Sequence, residues 1–418
     1  MEPLAKGSEA RRPRGHTTAM RPRGAAQPRT SSVTAKPQTR ALPARIEGLD
    51  GLRAASILIV LLGHAALAGN APALLWPLRD LGLLGVYLFF GISGFIITLL
   101  MLRERQRTGG VSLSGFWRRR ALRILPPFAA ACAGIAAGAA CGLLDWHWHS
   151  FLSALSFTTN LHFYPGDWFF GHFWSLSMEE QFYLLWPLLF LPLVHARRAA
   201  GLMLALVLAS PLLALGGLLL PPHLLNVLPC LPYLSAGCLL AILLHGRPEV
   251  YLRLRARRGL RRAVLWLLPL CALAASCYKR DGQTPVTATF VEGLLMPPAV
   301  FLLVAESVLE DGLLRGALSW APLRWIGLAS YSIYLWQQLF LGPPEVYRRD
   351  WFWAQWPQNI LAAVACGALA YLLVERPASA LKRVLERRTR PAAAQSTATG
   401  SRLQPAAAAS AARRSAGT

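Results

Sequence analysis

Apolar blocks of membrane-spanning length recur along this chain and leave it few folds to choose from. About 20 apolar residues wound as a helix rise about 30 Å, the thickness of a bilayer core. In hydrocarbon every backbone N–H and C=O needs an internal partner, so segments of this length cross as helices. Ten blocks are visible, near residues 49–69, 82–102, 122–143, 174–194, 200–220, 224–244, 263–278, 285–305, 324–341 and 357–374. The seventh, ninth and tenth are the shortest. With 54% of its residues hydrophobic and only 15% charged, the chain has too little polar surface for a soluble domain of this size. The expected fold is an all-α integral membrane protein with about ten transmembrane helices.

The basic residues orient those helices. Placing the N-terminus inside gives the inner segments 37 of the 43 Lys and Arg, against five on the outer side (Arg79, Lys279, Arg280, Arg348 and Arg349). Excess Lys and Arg mark cytoplasmic loops, so both termini are expected in the cytoplasm and the span count to be even. The net charge of +23 is then mostly a cytoplasmic skirt, with no nucleic-acid partner expected. Residues 1–45 form a basic tail rich in Arg, Pro and Ser/Thr, without the hydrophobic region of a signal peptide. Residues 379–418 form a second basic, low-complexity tail. Both are expected to be disordered, flanking a membrane domain at 46–378. The seven cysteines fall in expected spans with no CxxC pair, so they read as packing residues, and no metal site is expected.

The first span, "LDGLRAASILIVLLGHAALAG", carries two groups that are costly in hydrocarbon, Arg53 and His64. Eleven residues separate them, about 16 Å along a helix and roughly 20° past three full turns, so they share one face. Span 3 opens with "FWRRRALRILPPF", where Arg120 and Arg123 are neighbours on one face at the level of Arg53. Span 4 begins "FWSLSMEEQFYLLWP" and runs the other way. Counting from Trp174 puts Glu180 about 9 Å inside the outer boundary, near the depth of His64. Glu292, seven residues beyond Pro285 in span 8, falls at a similar depth. The polar residues thus sort into an inner arginine layer and an outer His/Glu layer. Glu179 lies about 100° from Glu180 on the helix, so the two cannot both face one site squarely.

Guanidinium groups stay charged and pair with phosphates through a planar fork. An imidazole beside a carboxylate suits general-base work. A long substrate such as acyl-CoA can rest its phosphates on Arg53, Arg120 and Arg123 and present its thioester at His64. An acceptor hydroxyl from the outer side, deprotonated by His64 with Glu180 as its partner, would attack the acyl carbon. Tyr183 and Glu292 complete the candidate substrate-binding set. No permanently bound cofactor is expected; acyl-CoA serves as co-substrate.

These stretches resemble the membrane-bound acyltransferases of acyltransferase family 3, bacterial O-acyltransferases of surface glycans, nodulation factors and macrolides. "LDGLRAASILIVLLGH" is similar to the family's opening, and "GVYLFFGISGFIIT" with "FWRRRALRILPPF" to its second block and paired arginines. "FWSLSMEEQFYLLWP", "LASYSIYLWQQ" and "VERPASAL" extend the likeness. The resemblance implies that His64 is the essential catalytic residue and that Arg53, Arg120 and Arg123 act on the acyl-CoA side. It also implies a multi-pass protein of the bacterial inner membrane, moving an acyl group, most simply acetyl, to a hydroxyl of a surface glycan or glycolipid. Two positions depart from the pattern: Tyr87 stands where the family has an acidic residue, and Gln337 where it has a His. Glu180, Glu292 or the Tyr87 hydroxyl could substitute.

The competing expectation is a polytopic transporter in which buried His, Glu and Arg form a relay, with "LLMPPAV" and "VLPCLPYL" as helix breaks. A non-catalytic scaffold is the third alternative. Outward loops at 145–173 and near "PPEVYRRDWFWAQWPQ" are dense in aromatics, suited to sugars or to the interfacial belt. Acyl chain, acceptor and oligomeric state are not legible.

Overall fold

The structure is a computed structural model that describes residues 42–43, 45–69, 71–161, 168–192, 196–219, 230–263, 265–266, 286–348 and 351–388. All of them fall in one unit, Ala41–Thr418. Its longer helices in chain order are α1 (Glu47–Leu67), α2 (Leu81–Thr108), α3 (Leu113–Ala140), α4 (Phe173–Phe190), α5 (Ala196–Leu208), α6 (Ser210–Leu219), α7 (Leu231–Gly246), α8 (Val286–Val308), α9 (Ala321–Trp336) and α10 (Gln358–Ala370). After α10 the chain passes through a π-helical turn, Tyr371–Glu375, into α11 (Arg376–Arg388). Among the described residues every regular element is helical; the one extended pairing is an isolated bridge between Leu144 and Tyr347.

Four helical stretches are long and apolar enough to cross a membrane: Glu47–Leu67, Ala73–Thr108, Leu113–Ala140 and Gln358–Lys382. Leu231–Gly246 and Gly293–Val308 are apolar but shorter. The expected seventh span lies almost wholly outside the described residues. Helix α4 spans the expected fourth block, where Glu179, Glu180 and Gln181 interrupt the apolar run.

Local chemistry explains where the helices start and stop. Glu47 and Asp50 occupy the first turn of α1, where the helix dipole favours negative charge. Each also holds an arginine: Asp50 pairs with Arg45 and Glu47 with Arg324 of α9, both at 2.8 Å. The Ser112 hydroxyl caps α3 by accepting the Gly115 N–H at 3.2 Å. Helix α2 ends at Gly109 with φ at 79°, a left-handed conformation that glycine adopts without penalty.

Packing between helices relies on small residues. Without a water-driven force between them, membrane helices associate by close backbone approach. A side chain at Gly94 of α2 would collide with the Leu234 carbonyl of α7, and one at Gly237 with the Gly91 carbonyl. Gly327 brings α9 equally close to the Asp50 carbonyl of α1. Helix α1 packs against both α2 and α9, so its polar residues face protein.

Candidate active site

Helices α1, α2, α3, α4 and α9 surround a pocket of about 810 Å³ of empty volume, part of it open. Arg53 from α1 and Arg120 and Arg123 from α3 all line it, so three cations that are distant in sequence meet in one place. Arg53 Nε donates to Ser330 Oγ of α9 at 3.2 Å. The Arg120 guanidinium lies over the ring of Tyr183, 5.3 Å from its centroid, and 5.9 Å from that of Phe116. These rings hold the cation through their π faces, and among the described residues no carboxylate pairs with its N–H groups.

Two carboxylates share the pocket. Glu179 Oε1 accepts a hydrogen bond from Ser93 Oγ at 2.6 Å, and Ser93 Oγ accepts one from the Tyr183 hydroxyl at 3.0 Å. Glu180 is held differently: its Oε1 is buried with no hydrogen-bond partner among the described residues. Glu375, in the π-helical turn, is buried, accepts from Ser332 Oγ at 2.7 Å and interacts electrostatically with Arg123 and Arg53. The pocket thus sets three guanidinium groups beside two carboxylates and several hydroxyls, in a wall that is otherwise apolar.

His64 lies outside this pocket lining, in a neutral cluster. Its Nδ1 is 3.0 Å from Gln337 Oε1, and its ring meets Trp168 edge-on with centroids 6.2 Å apart. The next residue repeats the pattern, with Gln338 Oε1 at 2.7 Å from Nδ1 of the buried His172. The Tyr334 hydroxyl donates to the His172 carbonyl at 2.9 Å and lies 2.5 Å from Ser175 Oγ. Ser175 and Tyr334 line the pocket and both hydrogen-bond to the His172 carbonyl, so the cluster touches the pocket wall. Gln337 follows Tyr334 by three residues, about 4.5 Å along the helix.

The arrangement corrects one sequence-based expectation. Glu180 does not partner His64; Gln337 holds the ring and Glu180 sits in the arginine pocket. Residues Phe169, Phe170, His172 and Phe173 are buried, so the start of α4 is packed within the protein, and depth along a helix does not fix which way its side chains face. Glu292 belongs to α8, but its side chain lies outside the described residues. Tyr87 stacks on Tyr233 of α7, with centroids 3.8 Å apart and planes 9° from parallel, on the α2–α7 contact. Gln337, Trp168, Ser93 and Glu375 were missed as site residues. Gln337 stood out as a departure in "YLWQQ", while Ser93 and Glu375 lay unremarked within "GVYLFFGISGFIIT" and "VERPASAL".

A family model described as an acyltransferase domain matches residues 46–375. The chain belongs to this acyltransferase family. Among relatives of this acyltransferase domain, YrhL of Bacillus subtilis, a peptidoglycan O-acetyltransferase by name, is 26% identical over 363 residues, covering 79% of this chain and 54% of the relative. The O-acetyltransferase OatA of Staphylococcus aureus is 27% identical over 323 residues, covering 70% and 50%. The chain therefore spans about half the length of the curated relatives it matches. No solved structure matches it significantly.

Proposed function

We propose that this protein is a multi-pass membrane O-acyltransferase. It moves an acetyl group from cytoplasmic acetyl-CoA to a hydroxyl of a surface glycan, with peptidoglycan as the first candidate from the names of its relatives. The observation that carries the reading is the convergence of Arg53, Arg120 and Arg123 on one pocket whose wall, at Ser175 and Tyr334, touches the cluster that holds His64 and His172. In this reading the CoA phosphates rest on the guanidinium groups and the pantetheine arm follows the apolar wall. The thioester then reaches the imidazole across the single turn from Tyr334 to Gln337.

His64 takes the proton of the acceptor hydroxyl, the oxygen attacks the acyl carbon, and the C–S bond breaks. The thiolate leaves with the proton that the imidazole returns. Tyr183 acts on the donor side, by holding Arg120. Glu292 remains a substrate-side candidate on α8. Ten spans with both termini cytoplasmic fit the distribution of Lys and Arg and put the arginine pocket on the cytoplasmic side. The membrane domain is assigned to 46–378 with basic tails on either side, and the host membrane is the bacterial inner membrane. Family membership favours transfer over the transporter alternative.

Purified full chain in proteoliposomes, given radiolabelled acetyl-CoA and peptidoglycan fragments, tests the proposal. Label is expected on the glycan and lost with His64→Ala. Flux of a solute without consumption of acetyl-CoA would support a transporter instead.

A further inference from the structure

We infer that Gln337 is the positioning residue for His64: its amide oxygen accepts the proton on Nδ1 and leaves Nε2 as the basic nitrogen facing the acceptor hydroxyl. The inference deepens the proposed function and rests on His64 being the base. Four observations support it. Gln337 Oε1 is 3.0 Å from Nδ1, and an amide oxygen only accepts, so the ring nitrogen it meets carries hydrogen. Gln337 is fully buried, and its Nε2 finds no hydrogen-bond partner among the described residues. A half-satisfied amide in this position costs stability that an apolar residue would avoid, so packing alone does not account for it.

The third observation is that, among the described residues, no carboxylate is hydrogen-bonded to the His64 ring. Glu179 is engaged by Ser93, and Glu180 sits in the arginine pocket. The fourth is the rigidity of the backbone that carries the amide. The Gln337 N–H bonds the Ile333 carbonyl, and its own carbonyl accepts from Phe340 and Leu341, at 3.0 and 3.1 Å. A side chain with a fixed root and one hydrogen bond orients the ring it touches.

A neutral amide orients the imidazole without the charge that a carboxylate would add. The step it serves is balanced. The hydroxyl proton passes to His64 Nε2, the new O–C bond forms as C–S breaks, and the proton leaves on the CoA sulfur. Throughout, Nδ1 keeps its hydrogen on Gln337 Oε1.

The test uses the full chain in proteoliposomes, with acetyl-CoA as donor and peptidoglycan fragments as acceptor. Two variants are compared: Gln337→Met, which keeps the volume and removes the acceptor, and Gln337→Glu, which can only accept. Gln337→Met is expected to lower kcat by about tenfold or more, with donor KM unchanged and the thermal midpoint no lower than that of the unsubstituted chain. Gln337→Glu is expected to retain more activity than Gln337→Met. A packing role predicts the reverse order, because Met suits an apolar site better than a buried charge. Gln337→Met at the wild-type kcat, or more active than an equally folded Gln337→Glu, overturns the inference. If Gln337→Glu does not accumulate, Gln337→Met decides alone. Reduced kcat at unchanged KM, with a midpoint no lower, then supports the inference, and unchanged kcat or a lowered midpoint overturns it. His64→Ala separates the two levels: activity in that variant removes the base itself, whereas a silent His64→Ala beside a fully active Gln337→Met removes only Gln337.

Discussion

The arginine pocket and the histidine cluster adjoin one another yet are built from opposite materials. The pocket gathers full charges from three helices, Arg53, Arg120 and Arg123 beside Glu179 and Glu180, and holds them with aromatic faces and hydroxyls. Among the described residues, no carboxylate is hydrogen-bonded to the imidazoles of the cluster. Two consecutive amides, Gln337 and Gln338, each take one imidazole nitrogen, and aromatic rings close the rest. Charge suits binding of a polyanion that brings its own compensating phosphates. A neutral hydrogen bond suits a ring that must gain and lose a proton within one reaction cycle. Under the proposed function the difference divides the labour: the pocket would hold the donor and the cluster would move the proton.

That division can be broken by measurement. The largest effect is expected from His64→Ala, which should lower kcat by about 10²–10⁴-fold while leaving binding of acetyl-CoA intact. Loss of donor binding in that variant would merge the two regions into one. Next, Arg120→Ala should raise the donor KM by about 10–100-fold, with a smaller change in kcat, because a charge-assisted contact is lost at the binding step. Isothermal titration and initial rates read the two constants separately. Gly237→Val lies outside both regions and serves as the control. It should destabilise the α2–α7 contact by roughly 1–3 kcal/mol, seen as a lower thermal midpoint, with both constants unchanged per folded molecule.

The smallest expected effect discriminates most finely. Glu180→Gln replaces a buried carboxyl beside the arginines with a neutral amide and should change donor binding by about severalfold at most while catalysis continues. Abolished catalysis would instead restore Glu180 as the partner of His64.

Legibility in the sequence followed the same division. Spacing within one helix, together with the paired arginines of "FWRRRALRILPPF", pointed to Arg53, Arg120 and Arg123, and the structure brings all three into one pocket. Periodicity also showed that Arg53 and His64 share a face, because eleven residues return a helix to nearly the same angle. The partner of His64 was not legible. It lies 273 residues away on another helix, and the depth count that favoured Glu180 fixed neither the rotation of α4 nor its buried start. Gln337 was visible only as a departure from the family pattern. Helical class followed from apolar length, but four of the ten blocks meet the length and composition of a span among the described residues. Polar motif residues shorten the apparent run in α4, and the seventh block falls outside the described residues.

A structure of the full chain in a lipid nanodisc with a non-hydrolysable acetyl-CoA analogue tests the central claim most directly. The account predicts phosphate groups within hydrogen-bond distance of Arg53, Arg120 and Arg123, and the thioester mimic beside His64 Nε2. An analogue bound elsewhere with the arginine pocket empty, or one whose acyl end points away from His64, would contradict it.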